Sequence, residues 1–199
     1  MKFSIPVYNG FDDLDAVGPY EVLNHTQNAG ADLNVGLYTL EEVAVVESSH
    51  GLRVEPDGQL PPDPDVIVVP GGGWSSGEMQ GARREADRGV LPEAIKSYHE
   101  QGAVVASVCT GAMLLARVGI TDDRPAITHQ SAIDDLEESG AEIVDARVVD
   151  DGDVVTAGGI TSGIDLALHL VGREFGTEVA DRVMETMEYT LTGTVHRSA

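Results

Sequence analysis

Along this chain, short runs rich in Val and Ile alternate with longer segments in which apolar residues recur at helical spacing. Strands are predicted over residues 3–8, 33–40, 66–69, 103–108 and 154–156. The runs at 66–69 and 103–108 lack a regular alternation of polar and apolar residues, which is typical of central parallel strands buried on both faces. The pattern therefore predicts an α/β fold with a mostly parallel central sheet.

The segments between these strands carry the helices. Helices are predicted over residues 82–101, 131–139, 160–175 and 178–189, and two more are predicted, the first of the chain beginning near Asp15 and another beginning at Ala112. Ser131 is a suitable N-cap for the second of them, and residues 43–54 have the pattern of a hairpin attached to the sheet. We expect one domain over residues 1–191, followed by a loose C-terminal tail over residues 192–199.

The charge of the chain limits its partners. Thirty-four acidic residues stand against twelve Lys and Arg, so the formal net charge is -22. Such a chain is repelled by nucleic acid and by anionic membrane surfaces. An acidic excess spread over the whole sequence is typical of proteins from a salty (halophile) cytoplasm, where ions screen the self-repulsion, and an acidic interaction protein from an ordinary cell is the alternative. Because no long apolar segment or signal-like N-terminus occurs, we expect a soluble cytoplasmic protein.

Cys109 is the single cysteine, which excludes an internal disulfide framework. It lies between a predicted strand and a predicted helix, as the nucleophile does in the sharp strand-to-helix turn of hydrolases. The partial positive charge of a helix N-terminus favours the thiolate, so the sequence predicts a lowered pKa and a reactive sulfur. The alternative is that Cys109 is one more small buried apolar residue.

Two other segments are candidates to complete a site. Gly71, Gly72 and Gly73 follow the strand at 66–69, where bare backbone N–H groups can form half of an oxyanion hole, with the Thr110 N–H as the other half. A plain tight turn is the alternative. Asp15 lies at the start of the first predicted helix, where local pattern favours a role as its N-cap. Pro19 equally suggests that this helix begins later.

These segments together resemble the DJ-1/PfpI superfamily, a class I glutamine amidotransferase-like group, and are most similar to its isocyanide hydratase branch and to the sensor domains of related transcription regulators. The resemblance extends in order over nearly the whole chain. The matching motifs are Asp15-Ala-Val-Gly-Pro-Tyr-Glu-Val-Leu23, Val69-Pro-Gly-Gly72, Ser107-Val-Cys-Thr-Gly-Ala112, Thr128-His129 and Ala157-Gly-Gly-Ile-Thr-Ser-Gly-Ile-Asp165.

The resemblance implies a flavodoxin-like sandwich with helices on both faces of the sheet, commonly a homodimer. It makes Cys109 the nucleophile and Asp15 its acidic partner, and this reverses the local preference for Asp15 as a cap. Gly72 and Thr110 become the anion site, to which Thr110 also brings its hydroxyl group, and Gly158 lines the pocket. A carboxylate beside a thiolate repels it, so we expect the pair to share one proton and titrate as a unit.

The expected activity is a cofactor-free, cysteine-dependent addition of water to a small electrophile, with an isocyanide giving an N-substituted formamide as the most specific interpretation. His129 is expected near the pocket, in a hydrogen-bonded structural role rather than as a base. The histidines form no metal-binding pattern, so no metal is expected. The alternatives are a cysteine-based oxidative or ligand sensor and a glyoxalase or deglycase.

The sequence also departs from family patterns. Thr110 stands where the peptidase-like and glyoxalase-like branches usually place His, so a Cys–His dyad of that design is absent. Gln130 stands where the hydratase branch often has Trp, which leaves the pocket shape and the substrate open. Trp74 is expected either to cover the pocket or to pack at a subunit contact.

Overall fold

The computed structural model describes residues 1–75 and 79–198. Its main element is an eight-stranded sheet in the order β12-β10-β11-β7-β6-β1-β2-β5. The strands of this sheet are β1 (Lys2–Pro6), β2 (Asn34–Thr39), β5 (Gly58–Gln59), β6 (Val66–Val69), β7 (Val104–Val108), β10 (Val148–Asp150), β11 (Val154–Ala157) and β12 (Val195–Arg197). Two small separate sheets are formed by β3 (Val46–Glu47) with β4 (Arg53–Val54), and by β8 (Pro125–Ala126) with β9 (Glu142–Ile143).

Most of the main sheet is parallel, as predicted. Six strands run in one direction, and β10 and β12 run in the other, because β10 pairs antiparallel with β11 and parallel with β12. All four residues of β6 are buried. Because β6, β7 and β11 are parallel neighbours, their carboxyl ends meet at one edge of the sheet, where ligands bind in open α/β folds.

Helices cover both faces of the sheet. Helices α1 and α6 pack together with α7 on one side, and α2, α3 and α4 pack together on the other. Their bounds are α1 (Asp13–Asn28), α2 (Ala82–Arg88), α3 (Val90–Glu100), α4 (Ala112–Ala116), α5 (Ile133–Glu138), α6 (Ser162–Phe175) and α7 (Thr177–Thr186). The predicted α/β sandwich is thus confirmed. Within residues 1–75 and 79–198, no helix is long and apolar enough to cross a membrane.

Several local predictions differ from the structure. The helix expected over 82–101 is two helices, because Gly89 takes a left-handed conformation (φ 73°) between them. The hairpin at 43–54 pairs only with itself and bonds to the loop after β1, for example through Gly10 N–H to the Glu47 carbonyl, so it is not part of the main sheet. The segment expected to be a loose tail contains β12, which extends the sheet beyond β10.

Candidate active site

Cys109 occupies a strained turn between β7 and α4. A short 3-10 turn (Cys109–Gly111) separates the two elements, and Cys109 has a positive φ of 56°. This conformation is unfavourable for a residue with a side chain, and it persists only where the surroundings enforce it. Two hydrogen bonds do so here: the Cys109 N–H donates to the Gly158 carbonyl (2.8 Å) and its carbonyl accepts from the Thr128 hydroxyl (2.9 Å).

Glycines allow the neighbouring backbone to approach this turn. A Cβ on Gly111 would lie 2.2 Å from the Val69 carbonyl oxygen, and a Cβ on Gly71 would lie 2.5 Å from the Thr110 nitrogen. Both distances are far below van der Waals contact. The loop after β6 is therefore pressed against the turn after β7, which brings its N–H groups to the site.

Asp15 lies in the first turn of α1 and is completely buried. It is not the cap of that helix, because the helix begins at Asp13 and the N-cap is Asp12, whose carboxylate accepts from the Leu14 N–H (3.3 Å). The Gly71 N–H donates to Asp15 Oδ2 (2.9 Å). The carboxyl group also interacts with the Cys109 thiol, and Oδ1 has no well-formed hydrogen bond within the described chain. A carboxyl oxygen is thus left available beside the sulfur.

The surroundings of this pair favour the protonated form of each group. Burial raises the pKa of Asp15 from 3.8 to about 8, the charge of Asp12 adds to the rise, and the Gly71 N–H opposes it. Burial also raises the pKa of the Cys109 thiol, the charge of Asp15 raises it further, and the Thr110 N–H opposes these effects. At neutral pH the Asp15 carboxyl group is therefore mostly protonated.

The expected lowering of the Cys109 pKa by the helix N-terminus is wrong. Helix α4 has only five residues, so its dipole is small. Cys109 is only 5% exposed, so a thiolate formed there would have almost no hydration. Desolvation and a neighbouring carboxyl group outweigh a short helix, and the first proton leaves this site only as the pH rises through about 8.

The predicted anion site is built differently from its expected form. The Gly72 N–H donates to the Thr110 hydroxyl oxygen (2.9 Å) and is therefore not an open donor in this structure. The Thr110 N–H is directed to the sulfur. The Thr110 hydroxyl has accepted one bond and keeps its own hydrogen for donation, so it is the donor that the arrangement leaves for a ligand.

Gly158 and Thr128, which anchor the Cys109 backbone, also line an open cleft. The cleft has a volume of about 790 Å³, and Gln130 and Gly159 lie on its wall beside them. The Gly158 N–H donates in turn to the Arg147 carbonyl (3.1 Å). The cleft thus lies one hydrogen bond from the turn at Cys109, with Gln130 on its wall.

His129 serves the local backbone. Its Nδ1 accepts from the Ser131 N–H (3.1 Å) and lies 2.8 Å from the Ser131 hydroxyl, so His129 is the N-cap of a 3-10 turn (Gln130–Ala132) that precedes α5. Ser131 is therefore not the cap that the sequence suggested. No hydrogen bond joins the His129 ring to Cys109 or Asp15 in the part of the chain described.

Tyr8 belongs to the site and was missed by sequence reasoning. Its hydroxyl donates to the Pro70 carbonyl (2.7 Å), next to the Gly71 N–H that holds Asp15. Burial raises the pKa of Tyr8, and the charges of Asp15, Glu85 and Cys109 add to the rise, so it is a neutral donor. Its position two residues beyond the end of β1, at the same edge of the sheet as Cys109, is the signal that could have identified it.

Comparisons with known proteins show which proteins this chain is similar to. A model of the DJ-1/PfpI family matches residues 1–173. An isonitrile hydratase of Pseudomonas putida is 38% identical over 191 residues, which are 95% of this chain and 78% of that protein. A deglycase of Thermococcus kodakarensis is 29% identical over 161 residues, or 79% of this chain and 89% of that protein.

A solved structure has the same fold. A ThiJ/PfpI family protein from Pseudomonas syringae superimposes with a TM-score of 0.80 at 25% identity, over 96% of this chain and 76% of that one.

Proposed function

Because this chain belongs to the DJ-1/PfpI family, we propose that its Cys109–Asp15 pair adds water to a small electrophile, and that the electrophile is an isocyanide, converted to an N-substituted formamide. The observation that carries the proposal is a buried carboxyl group, protonated at neutral pH, in interaction with the thiol of a strained turn. The similarity to an isonitrile hydratase at 38% identity supports the choice of substrate.

An isocyanide carbon needs both a proton and a nucleophile, and the site holds one of each. Asp15 gives its proton to the terminal carbon, the Cys109 sulfur forms a bond to the same carbon, and the thiol proton passes to Asp15. The product of this step is a thioimidate on Cys109. The Thr110 hydroxyl is placed to donate to the substrate nitrogen as its electron density changes.

Water completes the reaction. Asp15, which now holds the thiol proton, gives it to the thioimidate nitrogen, and its carboxylate then accepts a proton at Oδ1 from the water that adds to the carbon. The new hydroxyl group loses its proton as it becomes the formyl carbonyl, the C–S bond breaks, and the sulfur takes up that proton, so Asp15 and Cys109 each hold one proton again. One isocyanide and one water give one formamide, with no electron gained or lost. The chemistry needs no cofactor or metal, and among the described residues no cluster of three or more metal-binding side chains occurs.

The test is the conversion of an aryl isocyanide in water enriched in ¹⁸O. We expect formamide carrying the label in its formyl oxygen, and complete loss of turnover in Cys109→Ala and Asp15→Ala. Asp87→Asn, an exposed acid on α2, serves as the control and should retain native turnover. Full turnover by the Cys109→Ala protein would disprove covalent catalysis, and lactate from methylglyoxal without any formamide would favour the glyoxalase class instead.

The proposal extends to the setting of the enzyme: a homodimer in the cytoplasm of a cell with high internal salt. The net charge of -22 supports the last point. Sedimentation in molar KCl tests the dimer, and a single species at the monomer mass of 21.0 kDa would contradict it.

A further inference from the structure

Trp74, the only tryptophan in the chain, is held by two side chains from other elements. Its indole Nε1 donates to Asp135 Oδ2 on α5 (2.5 Å). Arg83 on α2 stacks over the ring at 4.2 Å, donates from Nε to the Trp74 carbonyl (2.8 Å) and from its terminal nitrogen to the same Asp135 oxygen (3.2 Å). We refer to these three residues, Trp74, Arg83 and Asp135, as the Trp74 bridge.

The bridge joins the two backbone segments that flank Cys109. On one side it continues from Gly71 and Gly72, whose N–H groups bond to Asp15 and Thr110. On the other side it reaches the segment that contains Thr128, which bonds to the Cys109 carbonyl.

A second, parallel contact runs between the same two segments. The Ser75 hydroxyl donates to the Ser131 carbonyl (3.2 Å), and the Ser131 N–H donates to His129. The Trp74 ring also packs on the small apolar cluster that α4 and α5 share. That cluster consists of Met113, Ala116, Ala126, Ala132, Leu136 and Ala141.

The bridge is poorly suited to stabilise the whole fold but well suited to fix a loop. The side chains of Arg83 and Asp135 are 49% and 44% exposed, and an exposed ion pair contributes little to global stability. Gly71, by contrast, has no space to shift toward the turn at Cys109, because it already packs against the Thr110 nitrogen. A displacement of about 1 Å in a catalytic group can reduce turnover by about 100-fold. A weak constraint in this place therefore acts mainly on the site.

We propose that Asp135 is a positioning residue for this enzyme: through Trp74 and Arg83 it keeps Gly71 and Gly72 bonded to Asp15 and Thr110. It does not touch the reacting atoms. The effect on turnover rests on the proposed function, whereas the effect on the position of the loop does not.

The experiment compares Asp135→Ala and Asp135→Asn with Asp134→Ala, a matched control. Asp134 lies beside Asp135 in the first turn of α5, is exposed, and carries the same charge. Asparagine keeps an oxygen for the indole N–H but loses the charge that Arg83 binds, so it should restore part of the native behaviour. Three quantities are measured: Trp74 fluorescence, the kinetic constants for an aryl isocyanide, and the rate of Cys109 alkylation by iodoacetamide.

We expect Asp135→Ala to shift Trp74 emission to longer wavelength and to lower kcat by about tenfold or more with little change in KM. Asp135→Asn should fall between this variant and the native protein, and Asp134→Ala should match the native protein. If Asp135→Ala unfolds, Asp135→Asn and Arg83→Gln carry the test with the same expected direction. Native kcat in a variant whose Trp74 emission has shifted would overturn the proposal, as would a loss of kcat without any shift.

Alkylation separates this proposal from the proposed function. If the native protein hydrates no isocyanide, the proposed function fails, but the loop can still be tested through Cys109. Release of Gly71 and Gly72 should expose the sulfur, so alkylation should be several-fold faster in Asp135→Ala than in Asp134→Ala. Equal alkylation rates in those two variants would overturn the positioning role.

Discussion

Replacing Asp15 by asparagine should stabilise the protein while stopping its turnover. Asparagine has nearly the same shape, and its oxygen can still accept from the Gly71 N–H. It cannot ionise. Native Asp15 must take up a proton when the chain folds at neutral pH, because its pKa rises from 3.8 to about 8 on burial.

The magnitude follows from the linkage between protonation and folding. Below about pH 4, Asp15 is protonated in both the folded and the unfolded chain and does not lower the free energy of unfolding. As the pH rises, the unfolded chain loses this proton first, so the free energy of unfolding falls progressively. The fall is complete above about pH 8. At pH 7 the loss spans about 3 pH units, which corresponds to about 4 kcal/mol in the free energy of unfolding. The amide that Asp15→Asn introduces does not titrate, so the variant avoids this loss.

Urea unfolding between pH 5 and pH 8 measures the effect. The unfolding free energy of Asp15→Asn minus that of the native protein should increase steadily with pH over this range, by more than about 1 kcal/mol per pH unit. Asp87→Asn, at an exposed site, should show no such slope. A difference for Asp15→Asn that stays constant with pH would refute a buried, protonated Asp15.

The same variant tests how the thiol is controlled. The charge of Asp15 is one of the causes of the raised Cys109 pKa, so its removal should let the thiol ionise at lower pH. Above about pH 8, where native Asp15 is charged, alkylation of Cys109 should then be faster in Asp15→Asn than in the native protein, although hydration of the isocyanide is lost. Slower alkylation would mean that Asp15 acts as a base toward the thiol in the resting protein.

Three further predictions concern packing, the buried hydroxyl and charge. Gly111→Ala should lower the free energy of unfolding by several kcal/mol, because the new Cβ would lie 2.2 Å from the Val69 carbonyl oxygen. Gly172→Ala, in the interior of α6, should instead raise the free energy of unfolding by about 0.5–1 kcal/mol, because the nearest neighbour of its Cβ lies at 3.7 Å. Tyr8→Phe should lower the free energy of unfolding by about 1–3 kcal/mol, because the buried Pro70 carbonyl loses its donor. The same variant should reduce kcat more than it changes KM, and an unchanged kcat would show that Tyr8 does not contribute to catalysis. Raising KCl from about 0.1 M to about 2 M should raise the melting temperature, because ions screen a net charge of -22, and a fall would contradict the halophile interpretation.

The sequence predicted the main sheet well because central parallel strands carry an unmistakable pattern. The apolar runs at 66–69 and 103–108 correspond to β6 and β7, with a difference of at most one residue at each end. Predictions failed where a single backbone conformation or a distant pairing decides the outcome. Gly89 breaks one predicted helix into two through its left-handed φ. Strand β12 is stabilised by pairing with β10, and the residues of β12 alone do not show that β10 lies beside them.

The sequence could place Cys109 on a turn and Asp15 beside it, but it could not give the state of either group. The pKa of a thiol depends on its hydration and on the charges around it, and both follow from tertiary packing. Motif reasoning counted the helix N-terminus and omitted burial, so the direction of the Cys109 pKa shift was wrong. In the same way it took the Gly72 N–H as an open donor, whereas the Thr110 hydroxyl occupies it.

The number of protons at the site distinguishes the enzyme from the sensor. Peroxide oxidises thiolates, and susceptibility follows thiolate character and exposure; Cys109 is nearly buried and its pKa is raised, which is unfavourable for a sensor at neutral pH. An isocyanide, in contrast, becomes a strong electrophile only when its carbon is protonated, and in the proposed reaction a neutral Asp15 supplies that proton beside a thiol, which then gives up its own. When Cys109 and Asp15 both hold a proton, the pair therefore reacts slowly with oxidants but has the proton and the sulfur that an isocyanide needs. Slow peroxide oxidation of Cys109 at pH 7 would agree with this preference for the enzyme, and rapid oxidation at pH 7 would reverse it.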